Sequence, residues 1–327
     1  MNHPPTQLSL IENPDGDSLP DAPGGEGTAQ QAIKKSFSVI ENRLLKANLA
    51  ISSGDDPDAV FQHSIFCQTC MPYRDPGEEV RIWERTQGFA HLRMEAGAAL
   101  NPHTKKWMDV GLPFGPKPRL IMAYLNTEAL RAGTPEIEVQ DSLTAFIKRL
   151  NLSTDGRSIR TVRDQLARLS ASDFRLGYAQ GDEATTIKAT IIMGFNLWFP
   201  KDLRQRVLWP SSVKFSPAYF ESLVQHAVPL NETALSALSH SAMGLDIYAW
   251  LAQRLHRVRT RQLVPWVSLH DQFGQGYARL RKFREVFATA LGQVAAVYPE
   301  ARFDLHEKGM YLHNSPPPVL KKLVTKL

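Results

Sequence analysis

The chain has 327 residues, 43% hydrophobic and 22% charged, which is an ordinary globular composition with enough apolar material for two packed domains. No apolar run approaches the ~18–20 residues needed to cross a bilayer, and the N-terminus lacks a basic-then-apolar signal pattern, so a soluble cytoplasmic protein is expected. The net charge of +5 is unevenly spread: residues 1–111 hold 10 Lys+Arg against 15 Asp+Glu, and the remainder 28 against 18. A basic rear two-thirds favours a polyanionic partner.

In chain order, residues 1–28 carry five acidic residues, no Lys or Arg, and Pro/Gly clusters, the composition of a disordered acidic tail. From 31 to 51 the residues Ile33, Phe37, Ile40 and Leu44 recur at helical spacing. A second helix is predicted over 57–70, stopped by Pro72 and Pro76. Strands follow at 80–85 and 88–95, flanking Thr86-Gln87. Asp55, Asp56 and Asp58 read as a cap for the helix after them. These pieces make a helical/β extension over 29–111.

One pattern is then used twice. In 112–200, a helix opens at Pro118 and closes at Gly133, followed by a strand at 136–139, a helix at 142–150, a third helix at 157–170 and strands at 173–179 and 185–199. In 201–318, a helix at 245–258 precedes a strand at 262–266, a helix at 268–273, a long helix at 277–297 and a hairpin at 301–305 and 310–313. Helix, short strand, helix, turn, helix, hairpin is the order of a winged helix. The expected fold is therefore α+β and helix-rich, two tandem winged-helix units behind the extension, with a basic C-terminal tail at 319–327.

The third helix of each copy stands where a recognition helix enters a major groove. In the second copy Tyr277, Leu280, Phe283, Phe287, Leu291 and Val294 share one face, with Arg279 and Lys282 opposite and Arg281 and Arg284 on the flank. Between Gln253 and Arg284 there are eight basic residues, among them Arg254, Arg257, Arg259 and Arg261, and one acidic residue, Asp271. A run of cations is ordinarily a solvated face. Concentrated at the start of a recognition helix, these cations suit guanine edges and phosphates. Lys308, with His306 beside it, tips the second wing. In the first copy Ile159, Val162, Leu166 and Leu169 form the stripe, while Arg157, Arg160 and Arg168 point away and Arg163 lies at the edge. Asp164 dilutes that charge and Asp182-Glu183 tips the wing, so this helix either contacts a second half-site, mediates dimerisation or only faces solvent.

Several stretches resemble the plasmid-encoded RepA replication-initiator family: Met71-Pro-Tyr-Arg-Asp-Pro76, Leu112-Pro-Phe-Gly-Pro-Lys-Pro-Arg-Leu-Ile121, Asp246-Ile-Tyr-Ala-Trp-Leu251 with Arg254-Leu-His256, Phe273-Gly with Tyr277-Ala-Arg-Leu280, and Tyr298-Pro-Glu-Ala-Arg302. The resemblance covers about residues 61–318. It implies binding of double-stranded origin DNA, local duplex opening and recruitment of host helicase-loading proteins. It supplies no catalytic set. The expected partners are origin DNA and those host proteins, with a homodimer as one form to test and no membrane.

No catalytic residue, cofactor or metal is expected. The chain lacks a G-x-x-x-x-G-K-[ST] phosphate loop and any His-x-His, the metal-holding motif of nicking enzymes. Cys67 and Cys70 form a lone C-x-x-C, and His63 and His91 fit no standard zinc spacing beside them, so packed reduced thiols are expected. A winged-helix transcriptional repressor and a metal-dependent origin-nicking enzyme are the rival readings.

Overall fold

The computed structural model describes residues 38–54, 58–100, 104–138, 143–189, 191–193 and 212–319. The expected acidic tail, the start of the first helix, the loop at 101–103, the far end of the strand at 185–199 and the tail beyond 319 lie outside the described residues. Along the chain the elements are α1 (Val39–Ser52), β1 (Ala59–His63), α2 (Ser64–Gln68), β2 (Ile82–Gln87), β3 (Ala90–Glu95), β4 (Ala98–Leu100), β5 (Trp107–Asp109), α3 (Pro116–Ala132), β6 (Glu136–Glu138) and α4 (Leu143–Arg149). They continue with α5 (Gly156–Ala171), β7 (Asp173–Gln180), β8 (Glu183–Ala189), β9 (Ile191–Met193), β10 (Ser212–Phe215), α6 (Pro217–His226), β11 (Ala227–Asn231) and α7 (Glu232–Ala237). Last come α8 (Ala242–Arg254), a 3-10 turn (Leu255–Arg257), β12 (Gln262–Pro265), α9 (Trp266–Phe273), α10 (Leu280–Val297), β13 (Phe303–His306) and β14 (Gly309–Leu312). The fold is α+β and rich in helix, and both expected runs of helix, strand, helix, helix and hairpin are present in order.

Local chemistry explains where the helices begin and end. Pro116 sits at the start of α3, and Gly133 closes it in the left-handed region, its N–H bonding back to Ala129 and Leu130. Asp155, Ser216 and Ser241 cap α5, α6 and α8 through side-chain oxygens that accept backbone N–H bonds. Helix α8 is buried on every side from Ala242 to Gln253, as expected of a helix that is apolar almost all round. It packs on α10, α2, α3 and β11.

Two sheets run across the boundaries that the sequence suggests between its pieces. Strands β2, β3, β7 and β8 form one antiparallel sheet in that order, so the hairpin expected as the first wing is also paired along β3, Leu92 opposite Leu176. Strand β1 pairs with β11, Ala59 opposite Asn231 and His63 opposite Ala227. Residues 59–63 were expected to be helical, and tertiary pairing overrides that expectation: residues 60–63 are all buried between the β11 ladder and α3. The helix begins only at Ser64, where His63 caps it. The β2–β3 turn also falls later than expected, at Gly88-Phe89, because the tight reversal needs the positive φ of +56° that Gly88 supplies. A single hydrophobic core runs from Leu44 to Leu312 and draws on every piece of the chain from α1 onward.

Candidate nucleic-acid interface

Helix α10 starts three residues later than the apolar spacing suggests. Residues 274–277 form a turn in which Tyr277 N–H donates to the Gly274 carbonyl at 3.0 Å and the Tyr277 carbonyl meets His270 Nε2 at 2.7 Å. From Leu280 on the expected stripe holds. Phe283, Phe287, Leu291 and Val294 are buried, with Ala290 and Val297 beside them. Arg279, at the cap position, makes no side-chain cap bond, so the first N–H groups of α10 have no side-chain acceptor.

Around that helix start the expected cations gather. Arg279, Arg281 and Lys282 are exposed, Arg281 almost completely at 94% of its side chain. Arg284 is half-buried, its guanidinium 5.0 Å from the centre of the Trp266 ring, and its Nε has no hydrogen-bond partner. One acidic residue tempers the group: Glu285 accepts from Lys282 at 3.0 Å and lies 3.7 Å from Arg281.

The β13–β14 hairpin is fastened to the same place. Trp266 N–H donates to the Lys308 carbonyl at 3.2 Å and Trp266 Nε1–H to the His306 carbonyl at 2.9 Å. Gly309 lets the hairpin lie against β12, since a Cβ there would sit 2.1 Å from the Val264 carbonyl oxygen. The hairpin tip that carries exposed Lys308 is therefore tied to the start of α9 at Trp266, the residue whose ring Arg284 approaches. The other cations form a second group at the far end of β12, a strand of about 13 Å. There Arg261 stacks on Tyr311 at 3.6 Å, and Asn314 Nδ2–H donates to the Val258 carbonyl at 2.9 Å, which anchors the exposed segment holding Arg257 and Arg259.

The corresponding helix of the first copy differs at its start. Asp155 accepts from the Arg157 and Ser158 N–H groups, both at 2.9 Å, and from the hydroxyls of Ser153 and Ser158. Those bonds hold its carboxyl well below the usual carboxylate range. A carboxylate thus already fills the place that a phosphate would take. Arg157 and Arg160 are exposed beside it, Arg160 Nε–H donating to the Gly156 carbonyl at 3.2 Å. Arg168, expected to point outward, turns inward: it pairs with Asp164 at 3.0 Å and Asp75 at 3.3 Å, and covers Phe114. It fastens the start of the Leu112 motif to α5.

Three of the motifs quoted above meet at a buried node that their separation along the chain concealed. Arg119 grips Asp246 through two parallel bonds, Nε–H to Oδ1 at 2.6 Å and Nη2–H to Oδ2 at 2.7 Å. It also donates to the Gly115 carbonyl at 2.6 Å and the Met71 carbonyl at 2.8 Å, and its plane lies over Tyr73. Gln275 adds a bond from Nε2 to the Met71 carbonyl and accepts from Tyr73 N–H. Burial opposes the Arg119 charge, but Asp246 outweighs it and raises the pKa above the ordinary value. Burial raises the Asp246 carboxyl, with Arg119 pulling the other way. These residues hold the motifs together in the core.

Cys67 and Cys70 are buried thiols whose pKa values burial raises. His63 is engaged with Ile65 and Ser222, and His91 with Thr86 at 2.9 Å. Among the described residues no group of three or more His, Cys, Asp or Glu side chains could hold a metal ion, and no helix is long and apolar enough to cross a membrane.

No curated protein matches the chain. Among solved structures, a selenomethionine crystal structure of domains 2 and 3 of RctB matches at 11% identity and TM-score 0.49, over 79% of this chain and 99% of that one. A second crystal structure of RctB domains 2–3 matches at 11% identity and TM-score 0.46, over 76% of this chain and 94% of that one. Residues 112–267, which hold the Leu112 motif, Arg119, Asp246 and the second cation group, match the family model of the plasmid encoded RepA protein, so over that span the chain is similar to this family.

Proposed function

We propose that the protein is a plasmid replication initiator that binds double-stranded origin DNA sequence-specifically, opens the duplex locally and recruits host replication proteins, without enzymatic activity of its own. On this reading the two runs of helix, strand, helix, helix and hairpin are tandem winged helices, and the second is the main reader. The observation that carries it is the start of α10. Free backbone N–H groups and a helix dipole face outward there, among Arg279, Arg281, Lys282, Arg284 and the hairpin's Lys308. Arg257, Arg259 and Arg261 extend the positive surface along β12 and suit a neighbouring stretch of phosphates.

Footprinting of the purified protein on its parent replicon, with affinities titrated against salt, tests the proposal. Protection of tandem repeats beside an AT-rich stretch is expected. Neutralising ~6 phosphates should weaken binding on the order of 10³-fold between 50 and 200 mM salt. A lone protected palindrome over a promoter would make the protein a repressor. Relaxation of supercoiled origin plasmid in Mg²⁺ would make it a nicking enzyme.

A further inference from the structure

Beside the β7–β8 hairpin lies a cavity of about 570 Å³, walled by α2, β7, β8, α6, β11 and the C-terminal end of α8. Its size falls within the ~300–1,000 Å³ range of small-molecule sites. Ile65, Leu176, Ile187 and Val228 give it apolar sides.

Two polar residues set its chemistry. Gln253, on the buried helix α8, is only 7% exposed and lines the cavity, and its side-chain amide has no hydrogen-bond partner among the described residues. The amide faces the cavity and keeps contact with solvent there, so a ligand that can both donate to it and accept from it would take the place of water. Arg257 lines the same cavity from the 3-10 turn. Only its Nε is engaged, donating to His256 Nε2 at 3.2 Å, which leaves its two terminal nitrogens for an anion.

The cavity is shaped to bind and not to react. His63 Nδ1 accepts from Ile65 N–H at 3.2 Å, so the ring proton is on Nε2 and is donated to Ser222 Oγ at 3.0 Å. An imidazole that donates to the serine cannot take its proton. The cavity's one His–Ser contact is therefore structural.

An amide that offers donor and acceptor side by side, apolar walls for a flat ring and a guanidinium for an anion together describe a nucleotide. We propose that this cavity binds an unpaired nucleotide, with its base edge on Gln253 and its phosphate at Arg257. Glu221, also in the lining, disfavours a heavily charged ligand, so a single phosphate is preferred over a triphosphate. Such a nucleotide comes from one of two sources, a free mononucleotide or a strand released when a duplex opens. Only the second source rests on the DNA-binding reading above.

The test uses the full chain and three probes: the four deoxynucleoside monophosphates by equilibrium dialysis, a fluorescein-labelled 12-nucleotide single strand by anisotropy, and origin duplex in parallel. The folded wild type is expected to bind the monophosphates or the single strand saturably, with triphosphates weaker. Gln253→Leu should weaken that binding about 10-fold, as loss of a buried hydrogen-bonding pair would, while duplex binding and its salt dependence stay as in wild type. Gln253→Glu, which keeps the shape but removes the donor, provides the same comparison if the leucine variant does not fold. Tighter monophosphate binding identifies a free nucleotide as the ligand, and tighter single-strand binding identifies the opened strand. The proposal is overturned if folded wild type binds neither probe, or if the folded Gln253 variants bind as wild type does. Loss of duplex binding with monophosphate binding intact would instead remove the proposed function and leave this site standing.

Discussion

With both oxygens of Asp246 and the carbonyls of Met71 and Gly115 around it, the Arg119 guanidinium holds together three segments that share no local contact. The arginine is 5% exposed and its partner 6%. Removing one member leaves a charge with no water to solvate it. Arg119→Met is therefore expected to cost ~3–5 kcal/mol in urea unfolding, and the double variant Arg119→Met/Asp246→Leu should recover part of that loss, because no bare charge remains. A double variant no better than the single one would show that the carbonyl bonds matter more than the ion pair. His63 makes a second residue-scale prediction. Burial, with His226 nearby, lowers its pKa to about 3, so the native ring stays neutral in acid that protonates the unfolded one. Between about pH 6.5 and pH 3 the unfolded state binds the extra proton, and stability should fall as pH drops by up to ~1.4 kcal/mol per unit. Unfolding midpoints at pH 4.5, 5.5 and 7 should show a shallower dependence for His63→Gln. An unchanged slope would assign the acid sensitivity to other groups.

The two candidate recognition helices differ most at their first turns. Helix α5 carries its own anion in Asp155, whereas α10 has none and is ringed by cations. Arg281→Ala with Lys282→Ala should therefore weaken specific duplex binding more than Arg157→Ala with Arg160→Ala, by ~1–3 kcal/mol for each base-reading cation lost. Glu285→Gln frees both cations of the first pair and should tighten binding in low salt. Anisotropy titrations on specific and scrambled duplexes, with circular dichroism of each variant, decide between the helices. The reverse ranking would make the first copy the main reader. Helices α3, α5 and α10 and the β13–β14 hairpin were legible in the sequence because each is specified locally, by an apolar stripe, a cap or a tight turn. Strand β1 was misread for the opposite reason. Val60 and Phe61 bury against β11, some 170 residues further along, and nothing near them distinguishes a short buried strand from a helix turn. The same distance hid the Arg119–Asp246 pair, although both residues lie in stretches that resemble the RepA family, and it hid the cavity, whose lining comes from elements spread between β1 and the 3-10 turn. The cations were legible as a group. Their division between the two ends of β12, and the inward turn of Arg168, depend on tertiary contacts that no local pattern encodes.

At the scale of the whole molecule, the tandem repeat in the element order does not translate into pieces that stand alone. Strand β11 needs β1, and Asp246 needs Arg119, so a fragment of residues 201–318 carries an unpaired strand and an unpartnered buried carboxylate. Such a fragment is expected to lack cooperative unfolding and to aggregate, by circular dichroism and light scattering, whereas the chain from residue 39 onward should unfold in one step. A well-folded 201–318 fragment would show that the second copy needs neither strand nor arginine. The same pairing bears on how the protein is made. Ala59 leaves the ribosome 172 residues before its sheet partner Asn231. At about 5–20 residues per second the wait is roughly 10–30 s, long compared with the microseconds in which a hairpin closes. During that interval the apolar strand and the arginine destined for the core are both exposed on the nascent chain. The first half of this protein should therefore depend on chaperone cover during synthesis, and slowing translation between the codons for residues 63 and 227 should lower its soluble yield.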